Sequence, residues 1–295
     1  MTFNKRFLGR IYLVAVIGIV VWLIADRGSE MFDLFSEARP LPLVAVVGFA
    51  FLPFFANTAF WTIALRELGE EITWKQVNEA AIKTTLTRYL PGGIWLFASR
   101  SLALRNEGVA THSLVVFYGL ENLLAIPIAV LIGSLLLATS SGIPLWVGWV
   151  SLSLLVAIAI FIRPILDRFM TWWSERKGLD APKKISNNGI LKMYLSLFIY
   201  WIAFGTVFYT YLRSAGQDIE WTTAVGGFSL FWRISLFAPF APHGLGVFEP
   251  SFIALADWTV NALLLVGAFR AVLLIRDLLL TFIAGFFIKN PLKTK

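Results

Sequence analysis

Apolar residues along this chain fall into long uncharged blocks that short polar connections separate. About 20 consecutive apolar residues form a helix long enough to cross a bilayer. The pattern predicts six spanning helices, at Ile11–Ala25, Leu41–Leu65, Gly108–Thr139, Ser140–Ile162, Met193–Leu212 and Trp258–Ile288. The first block is short, so Arg10 is expected to extend towards the interface and lengthen it. We therefore predict an all-α membrane protein whose transmembrane domain occupies residues 1–295.

Proline and glycine interrupt two further apolar segments, Asn78–Arg105 and Trp221–Ala256. Proline removes a backbone donor and clashes with the preceding turn, and glycine lets the chain leave the helix. Because lipid cannot satisfy the freed backbone groups, such breaks occur beside a protein-lined or watery cavity. The pieces on either side are too short to cross comfortably, so each segment is predicted to be a re-entrant hairpin. The breaks contain Pro91, Gly92 and Gly93 in the first segment, and Pro242, His243, Gly244 and Gly246 in the second.

Basic residues in the connections predict the orientation of the chain. The polar stretch Arg163–Leu191 is predicted to be a loop with six basic residues, and both ends of the chain are basic as well. By the positive-inside tendency, both termini then lie in the cytoplasm and the protein lies in the plasma membrane. The first hairpin opens towards the cytoplasm in this topology and the second opens outward. The halves at about 41–139 and 191–288 are therefore predicted to form an inverted repeat, which typically builds a binding site at the midplane.

Composition supports the membrane interpretation and excludes several kinds of chemistry. Hydrophobic residues make up 58% of the 295 positions and charged residues 15%, with a mean hydropathy of +0.76, whereas soluble domains carry about 25% charged residues. The net charge of +7 is explained by topology, so no nucleic-acid partner is expected. The chain has no cysteine, which excludes disulfides and zinc–thiolate sites. His112 and His243 fit no metal-ligand spacing, and no cofactor is expected.

Two arginines near the breaks are the leading candidates for binding. Arg88 precedes Pro91, and Arg233 precedes the second break, both in apolar surroundings. A charged side chain at the bilayer centre costs at least about 2.5–3.5 kcal/mol, so both are expected to face the protein interior. Guanidinium binds phosphate bidentately, and glycines let backbone N–H groups approach an anion. These features predict a pocket for a phosphate-bearing head group. The alternative is a set of structural ion pairs with Glu121, Glu249 or Asp277.

The remaining charged residues in apolar segments leave several roles open. Glu249 is expected to pair with Arg233, to bind a cationic substituent, to carry a proton, or simply to begin the helix after the break. Glu121 is interpreted as structural but kept as a candidate. Arg270 shares a helix face with Asp277 and is expected to line the cavity or to anchor its helix. Arg276 and Asp277 are sequence neighbours and are not expected to pair. The candidate substrate-binding residues are Arg88, Pro91, Gly92, Gly93, Glu121, Arg233, Pro242, His243, Gly244, Gly246, Glu249 and Arg270.

These motifs resemble the flippase-like transmembrane region of the lysylphosphatidylglycerol synthase family. The resemblance rests on Arg88 with Pro91-Gly92-Gly93, on Pro242-x-Gly244-x-Gly246-x-x-Glu249 and on Arg270 of the final span. It implies movement of a lipid with an anionic or modified head group between leaflets. In larger members a cytosolic acyltransferase-like domain aminoacylates phosphatidylglycerol, and we expect no such step from this chain of 295 residues. A polyprenyl-linked sugar is the second substrate class.

Three further functions remain as alternatives to a lipid translocase. An intramembrane lipid or glycan transferase needs clustered carboxylates or a nucleophile–base pair, and the sequence has no Asp-rich motif or Ser–His pairing. We therefore expect a transporter rather than an enzyme. A non-transporting accessory protein of an envelope lipid or glycan pathway would not need the two broken segments. Ion conduction is least favoured, since no acidic ring or repeated filter sequence is present. The sequence does not indicate an oligomeric state.

Overall fold

The computed structural model describes residues 40–90, 94–140, 144–177, 185–235, 247–256 and 262–287. Every regular element in these ranges is helical, which confirms the all-α prediction. The first predicted span, Ile11–Ala25, lies outside them. A 3₁₀ turn, Thr85–Tyr89, follows directly after α3. The α-helices are α1 (Pro40–Phe49), α2 (Phe51–Glu67), α3 (Trp74–Thr84), α4 (Ile94–Asn106), α5 (Thr111–Ser140), α6 (Leu145–Lys177), α7 (Asn187–Ser214), α8 (Trp221–Ser235), α9 (Phe248–Ala256) and α10 (Ala262–Phe287).

Three of the described helical stretches are long and apolar enough to cross a membrane. They are Val44–Glu67, Thr111–Ser140 and Asn187–Ser214, which confirms three of the predicted spans. A fourth candidate is α6, whose parts Leu145–Ile158 and Ile160–Phe169 are bent by 41°. The last helix, α10, is of comparable length but carries three charged side chains. The total of six spans stays a prediction.

The basic stretch after the fourth apolar block was predicted to be a loop from Arg163 to Leu191, and this extent is wrong. Helix α6 continues to Lys177, and α7 already begins at Asn187. Pro164 lies inside α6, where its ring clashes with the carbonyl of residue 160 and accounts for the nearby bend. Arginine and lysine are good helix formers, so a charged continuation of an apolar helix does not have to unwind where the apolar block ends.

The spans α2 and α7 end in the same way before a hairpin begins. After α2, Gly69 has a φ of +94°, and the N–H of Glu70 donates to the Leu65 carbonyl at 3.0 Å. After α7, Gly216 has a φ of +80°, and the N–H of Gln217 donates to the Leu212 carbonyl at 3.0 Å. A glycine in the left-handed region ends a helix in this way because it has no Cβ to clash. Each span therefore ends sharply before the next helix begins.

Both predicted breaks separate helices that pack against each other. The 3₁₀ turn ends at Tyr89, Leu90 is extended with a ψ of 139°, and α4 returns to pack on α3. An extended residue is what a following proline requires. In the second segment α8 ends at Ser235, and α9 begins at Phe248 and packs on α8. We call α3, the 3₁₀ turn and α4 the first hairpin, and α8 with α9 the second hairpin. Residues 91–93 and 236–246, which contain the proline–glycine motifs, lie outside the described residues.

An aromatic cluster packs the second hairpin against α7 and α10. The ring of Phe208 on α7 lies 5.1 Å from Phe228 on α8 and 5.0 Å from Phe269 on α10, between centroids. Trp232 stacks on Phe228 with centroids 5.0 Å apart, and Phe248 of α9 meets Phe208 edge-on at 5.6 Å. All five rings are buried. Each such pair contributes about 0.5–1.5 kcal/mol beyond area burial, so the hairpin is held by packing on both arms.

Helices α5 and α8 approach each other closely at two glycines. A Cβ added to Gly133 of α5 would lie 2.7 Å from the Leu230 Cβ and 3.0 Å from the Gly226 carbonyl oxygen. A Cβ added to Gly226 of α8 would lie 3.0 Å from the Leu136 Cβ. Small residues at a helix crossing let the two backbones come together in this way. The first arm of the second hairpin is therefore in direct backbone contact with a span of the other half.

We expect Gly133→Ala to destabilise the protein by about 1–3 kcal/mol, because the added methyl group overpacks this crossing. Gly119→Ala on the same helix is the matched control, since a Cβ there would have no atom within 4 Å. Alanine also has the higher helix propensity, so the control is expected to be neutral or slightly stabilising. Thermal unfolding in detergent measures both effects. Equal unfolding midpoints for the two variants would contradict a close crossing.

Candidate functional site

Asp277 on α10 is a fully buried carboxylate that connects three parts of the fold. Its Oδ2 accepts a 2.8 Å hydrogen bond from the Tyr89 hydroxyl and lies 3.7 Å from Nε of Arg88, both on the 3₁₀ turn. Its Oδ1 accepts from Nε and Nη2 of Arg276 at 2.9 and 2.7 Å. Arg276 Nη1 also donates to the Ala50 carbonyl between α1 and α2 at 3.2 Å. The first hairpin, the last helix and the first described span therefore meet at one carboxylate.

The expectation that Arg276 and Asp277 do not pair is wrong. Neighbouring residues on a helix direct their Cα–Cβ bonds about 100° apart, which was the basis of the expectation. That argument fixes only where a side chain begins. The long arginine stem bends back, so its guanidinium presents two N–H groups to a single oxygen of the adjacent aspartate. In contrast, the ion pair between Arg88 and Asp277 is one of the structural pairs that the sequence left open.

A second ion pair connects the first hairpin to the span that follows it. Glu121 of α5 accepts from Nη1 of Arg100 on α4 at 3.0 Å and from the Trp61 indole N–H of α2 at 3.1 Å. The Arg100 guanidinium carbon also lies 3.8 Å from the centroid of the Trp61 ring. Arg100 is buried, and its charge is balanced by the carboxylate and the aromatic face. Glu121 therefore makes the kind of contacts expected of a structural residue, as the sequence analysis interpreted it.

A third ion pair connects the second hairpin to the last helix. Glu249 lies in the first turn of α9, where an acid is favoured by the helix dipole. Its Oε1 accepts from Nε of Arg270 on α10 at 2.6 Å, and the Arg270 guanidinium lies 4.8 Å from the Trp232 ring of α8. The expectation that Arg270 anchors its helix to a neighbour is therefore met. The helix-start role considered for Glu249 is also found.

Arg233, in the last turn of α8, has a different kind of partner. Its Nη2 donates to the Asn122 side-chain oxygen on α5 at 2.7 Å. Its Nε is buried and has no hydrogen-bond partner. Among the residues that the structure describes, no carboxylate oxygen lies within salt-bridge distance of Arg233. Its guanidinium is therefore a half-buried cation whose direct partner is a neutral amide.

Four of these charged groups lie near one side chain of α7. The half-buried Tyr200 of α7 interacts with charged groups from both hairpins and both following helices, namely Arg88, Glu121, Arg233 and Arg276. The contacts above involve five guanidinium groups and three carboxylates. Positive charge therefore exceeds negative charge by two in this arginine cluster, which comprises Arg88, Arg100, Arg233, Arg270 and Arg276 with Glu121, Glu249 and Asp277.

A family model described as the lysylphosphatidylglycerol synthase transmembrane region matches residues 10–285. The chain belongs to this family. The match covers every described helix except the end of α10, so the predicted resemblance is confirmed over nearly the whole chain. Together with the spanning helices, it establishes an integral membrane protein. No curated protein matches the chain significantly.

The family membership does not by itself assign a role to single residues, and the structure describes only part of the predicted site. Arg88, Glu121, Arg233, Glu249 and Arg270 all belong to the arginine cluster. The proline–glycine motifs and His243 lie outside the described residues: Pro91, Gly92, Gly93, Pro242, Gly244 and Gly246. Substrate binding by any of these residues stays a prediction.

Several residues that take part in these contacts were not selected as candidates from the sequence. Arg100 lies seven residues after Gly93 and has the appearance of an interfacial arginine, although it is buried. Asn122 and Tyr89 are polar but uncharged, so neither stands out in an apolar segment. Asp277 was considered as a partner for arginine and, with Arg270, as a residue that lines the cavity or anchors the helix, but it was not selected as a candidate. Charge within an apolar segment was the available signal, and Arg100 and Asp277 both carry it.

Proposed function

We propose that this protein is a lipid translocase, which moves a lipid with an anionic head group between the two leaflets without chemical conversion. Arg233 supports this proposal most directly, because it is a half-buried cation with an unused N–H donor and a neutral partner. A charge buried in a membrane segment is costly, and such residues usually mark a functional site. The excess of positive charge around it would attract the phosphate of a phospholipid or of a polyprenyl-linked lipid.

We further propose that the halves at about 41–139 and 191–288 form an inverted repeat. The helix contacts in one half have counterparts in the other: α3 packs on α4 as α8 packs on α9, and α2 packs on α3 as α7 packs on α8. Across the halves, α8 packs on α5 as α3 packs on α10, whereas α2 and α7 pack on each other. These correspondences support a two-fold relation between the hairpins, with α6 as the connecting helix.

The ionic contacts follow the same correspondence. The first arm of each hairpin ends in an arginine that reaches the last helix of the opposite half: Arg88 reaches Asp277, and Arg233 reaches Asn122. The second arm of each hairpin forms an ion pair with the next helix, through Arg100–Glu121 in one half and Glu249–Arg270 in the other. Rocking of such halves around a central site would give alternating access.

The proposed site would bind rather than react. All three carboxylates of the arginine cluster accept hydrogen bonds from arginine, so they are engaged in charge pairing rather than available as a general base. The basic extension of α6 with Arg163, Arg168 and Arg176 supports a cytoplasmic location for this end of the helix and for both termini in the plasma membrane.

Translocation can be measured in liposomes of phosphatidylcholine that contain phosphatidylglycerol with a fluorescent acyl chain. Dithionite bleaches only the outer leaflet of protein-free liposomes, and we expect the wild-type protein to make the inner-leaflet probe accessible as well. Arg233→Ala is expected to slow this exchange by about tenfold or more, because a charge-assisted contact is lost. A polyprenyl phosphate sugar probe in a parallel assay distinguishes the two lipid classes.

Arg213→Ala is the matched control for this assay. Arg213 lies at the end of α7 and pairs with the exposed Asp218, so its removal is expected to leave translocation unchanged. A wild-type protein that exchanges neither probe would contradict the translocase function. Equal rates for wild-type and Arg233→Ala proteins would remove Arg233 from the mechanism.

A further inference from the structure

The two hairpins present equivalent arginines to different partners. Arg88 faces the buried carboxylate of Asp277 at 3.7 Å, whereas Arg233 faces the neutral side-chain oxygen of Asn122 at 2.7 Å. Asp277 also accepts hydrogen bonds from the Arg276 guanidinium and from the Tyr89 hydroxyl. The first arginine thus shares a carboxylate within salt-bridge distance, and the second has no such carboxylate among the described residues. The site is asymmetric in charge although its helices correspond.

The acidic residue next to the partner of Arg233 is already engaged with other groups. The nearest acidic residue in sequence to Asn122 is Glu121, whose two oxygens already accept from Arg100 and from the Trp61 indole. Glu121 forms its salt bridge with Arg100. A guanidinium has five N–H donors, and Arg233 uses one of them on a described residue. A half-buried cation with spare donors requires a further acceptor.

The side chain of Asn122 is itself held in place. Its Nδ2 donates to the Tyr118 carbonyl of the same helix at 2.8 Å, which directs Oδ1 towards Arg233. Asn122 therefore orients one edge of the guanidinium while leaving the buried Nε free. An arginine that is held on one edge of its guanidinium and free on another can bind a planar or tetrahedral anion in a bidentate manner.

We propose that Arg233 and Asn122 form a phosphate subsite, and that the neutral amide at position 122 determines whether the site accepts an anion. This inference rests on the proposed translocase function and deepens it, since it assigns the lipid phosphate to one hairpin. The shared ligand chemistry is a phosphate anion, whether it belongs to a lipid head group or is free. Arg88, which shares the Asp277 carboxylate with Arg276, holds the first hairpin in place and does not contact the ligand.

The decisive variant is Asn122→Asp, which gives Arg233 the kind of counter-ion that Arg88 already has. Binding is measured on the full chain in detergent with phosphatidylglycerol that carries a fluorescent acyl chain. We expect binding to weaken by about 10- to 100-fold, the range for losing a hydrogen-bonded contact to a charged group. The unfolding temperature is expected to stay the same or to rise, because a buried cation gains a counter-ion. A merely structural role for Asn122 does not predict this combination.

Asn187→Asp is the matched control, because Asn187 also accepts from an arginine, Arg163, at 2.7 Å but at an exposed site. We expect this variant to bind the probe as the wild type does. Inorganic phosphate serves as a competitor: displacement of the probe indicates a site for phosphate alone, and no displacement indicates that the lipid is required. Both results support the subsite. Arg233→Lys is the second variant if Asn122→Asp does not fold, and it is expected to bind about tenfold more weakly because the planar fork is lost.

The subsite would be overturned by a wild-type protein that does not bind the fluorescent lipid, by an Asn122→Asp protein that folds and binds normally, or by equal losses for Asn122→Asp and Asn187→Asp. Normal binding by Arg233→Lys overturns it as well. If the wild-type protein does not translocate lipid but Asn122→Asp still weakens lipid binding, the translocase function is contradicted and the subsite is supported. If the wild-type protein translocates lipid and Asn122→Asp binds it normally, only the subsite is contradicted.

Discussion

Replacing Asp277 with alanine is expected to destabilise the folded protein by about 3–5 kcal/mol, the range for removing one partner of a buried ion pair. Asp277 is fully buried and is the carboxylate shared by Arg88 and Arg276. Its loss leaves two guanidinium groups without this carboxylate, and the Tyr89 hydroxyl without its acceptor. Thermal or denaturant unfolding in detergent, followed by the fraction of monodisperse protein, measures the effect.

Asp218→Ala is the control for this prediction. Asp218 also pairs with an arginine, Arg213, but its side chain is fully exposed, so solvent and salt screen the pair and little change in stability is expected. Asp277→Asn separates charge from shape, since the amide fills the same volume and still accepts a hydrogen bond from Tyr89. We expect it to be destabilised nearly as much as the alanine variant. A stable Asp277→Asn protein would indicate that the carboxylate charge is not required.

Reversing one charge of the Arg100–Glu121 pair is expected to have an effect of similar size, and reversing both is expected to recover much of it. Arg100→Glu places two carboxylates together in a buried site, and Glu121→Arg places two guanidinium groups there. Either single variant should give little folded protein, since breaking a buried pair alone costs about 3–5 kcal/mol. The double variant restores opposite charges, although it loses the stacking of Arg100 on Trp61.

The double variant is informative because the second hairpin already uses the reversed arrangement. There the carboxylate, Glu249, lies on the second arm, and the arginine, Arg270, lies on the following helix. If the hairpins are related by an inverted repeat, a site built for one polarity is expected to tolerate the other. The coupling energy from a double-mutant cycle measures this tolerance.

The exposed pair Arg213–Asp218 provides the control cycle, in which neither the single nor the double reversals are expected to change stability appreciably. The double variant of Arg100 and Glu121 could instead be no more stable than the less stable single variant. This result would show that the site tolerates the positive charge only on α4 and the negative charge only on α5. The proposed correspondence between the two hairpins would then have to rest on helix packing alone.

The positions of the spans could be predicted because the signal is local. A run of apolar residues such as Gly108–Thr139 has no other stable form in a bilayer than a helix, and α5 occupies Thr111–Ser140. The break before Pro91 was equally local, since proline restricts its own turn and the residue before it. The helical extension of α6 to Lys177 could not be predicted in this way. Basic residues are compatible with both loop and helix, and only contacts with the rest of the fold decide between them.

The candidate site was predictable in composition but not in pairing. Charged residues inside apolar blocks have to be buried together, which was sufficient to select Arg88, Arg233 and Glu249. Which carboxylate serves which arginine depends on helix crossings between residues as distant as Tyr89 and Asp277. The pairing of Arg276 with its own neighbour depends on a side-chain conformation, and residue spacing does not determine it.

By itself, the sequence determined that the chain is an all-helical membrane protein with two interrupted segments and buried positive charge, because burial in lipid leaves few options for apolar residues and prolines. Only the tertiary structure decided that Arg88 faces a carboxylate while Arg233 contacts a neutral amide. That difference depends on which face of α5 and of α10 meets each hairpin, and helix packing sets these faces through contacts far apart in the chain.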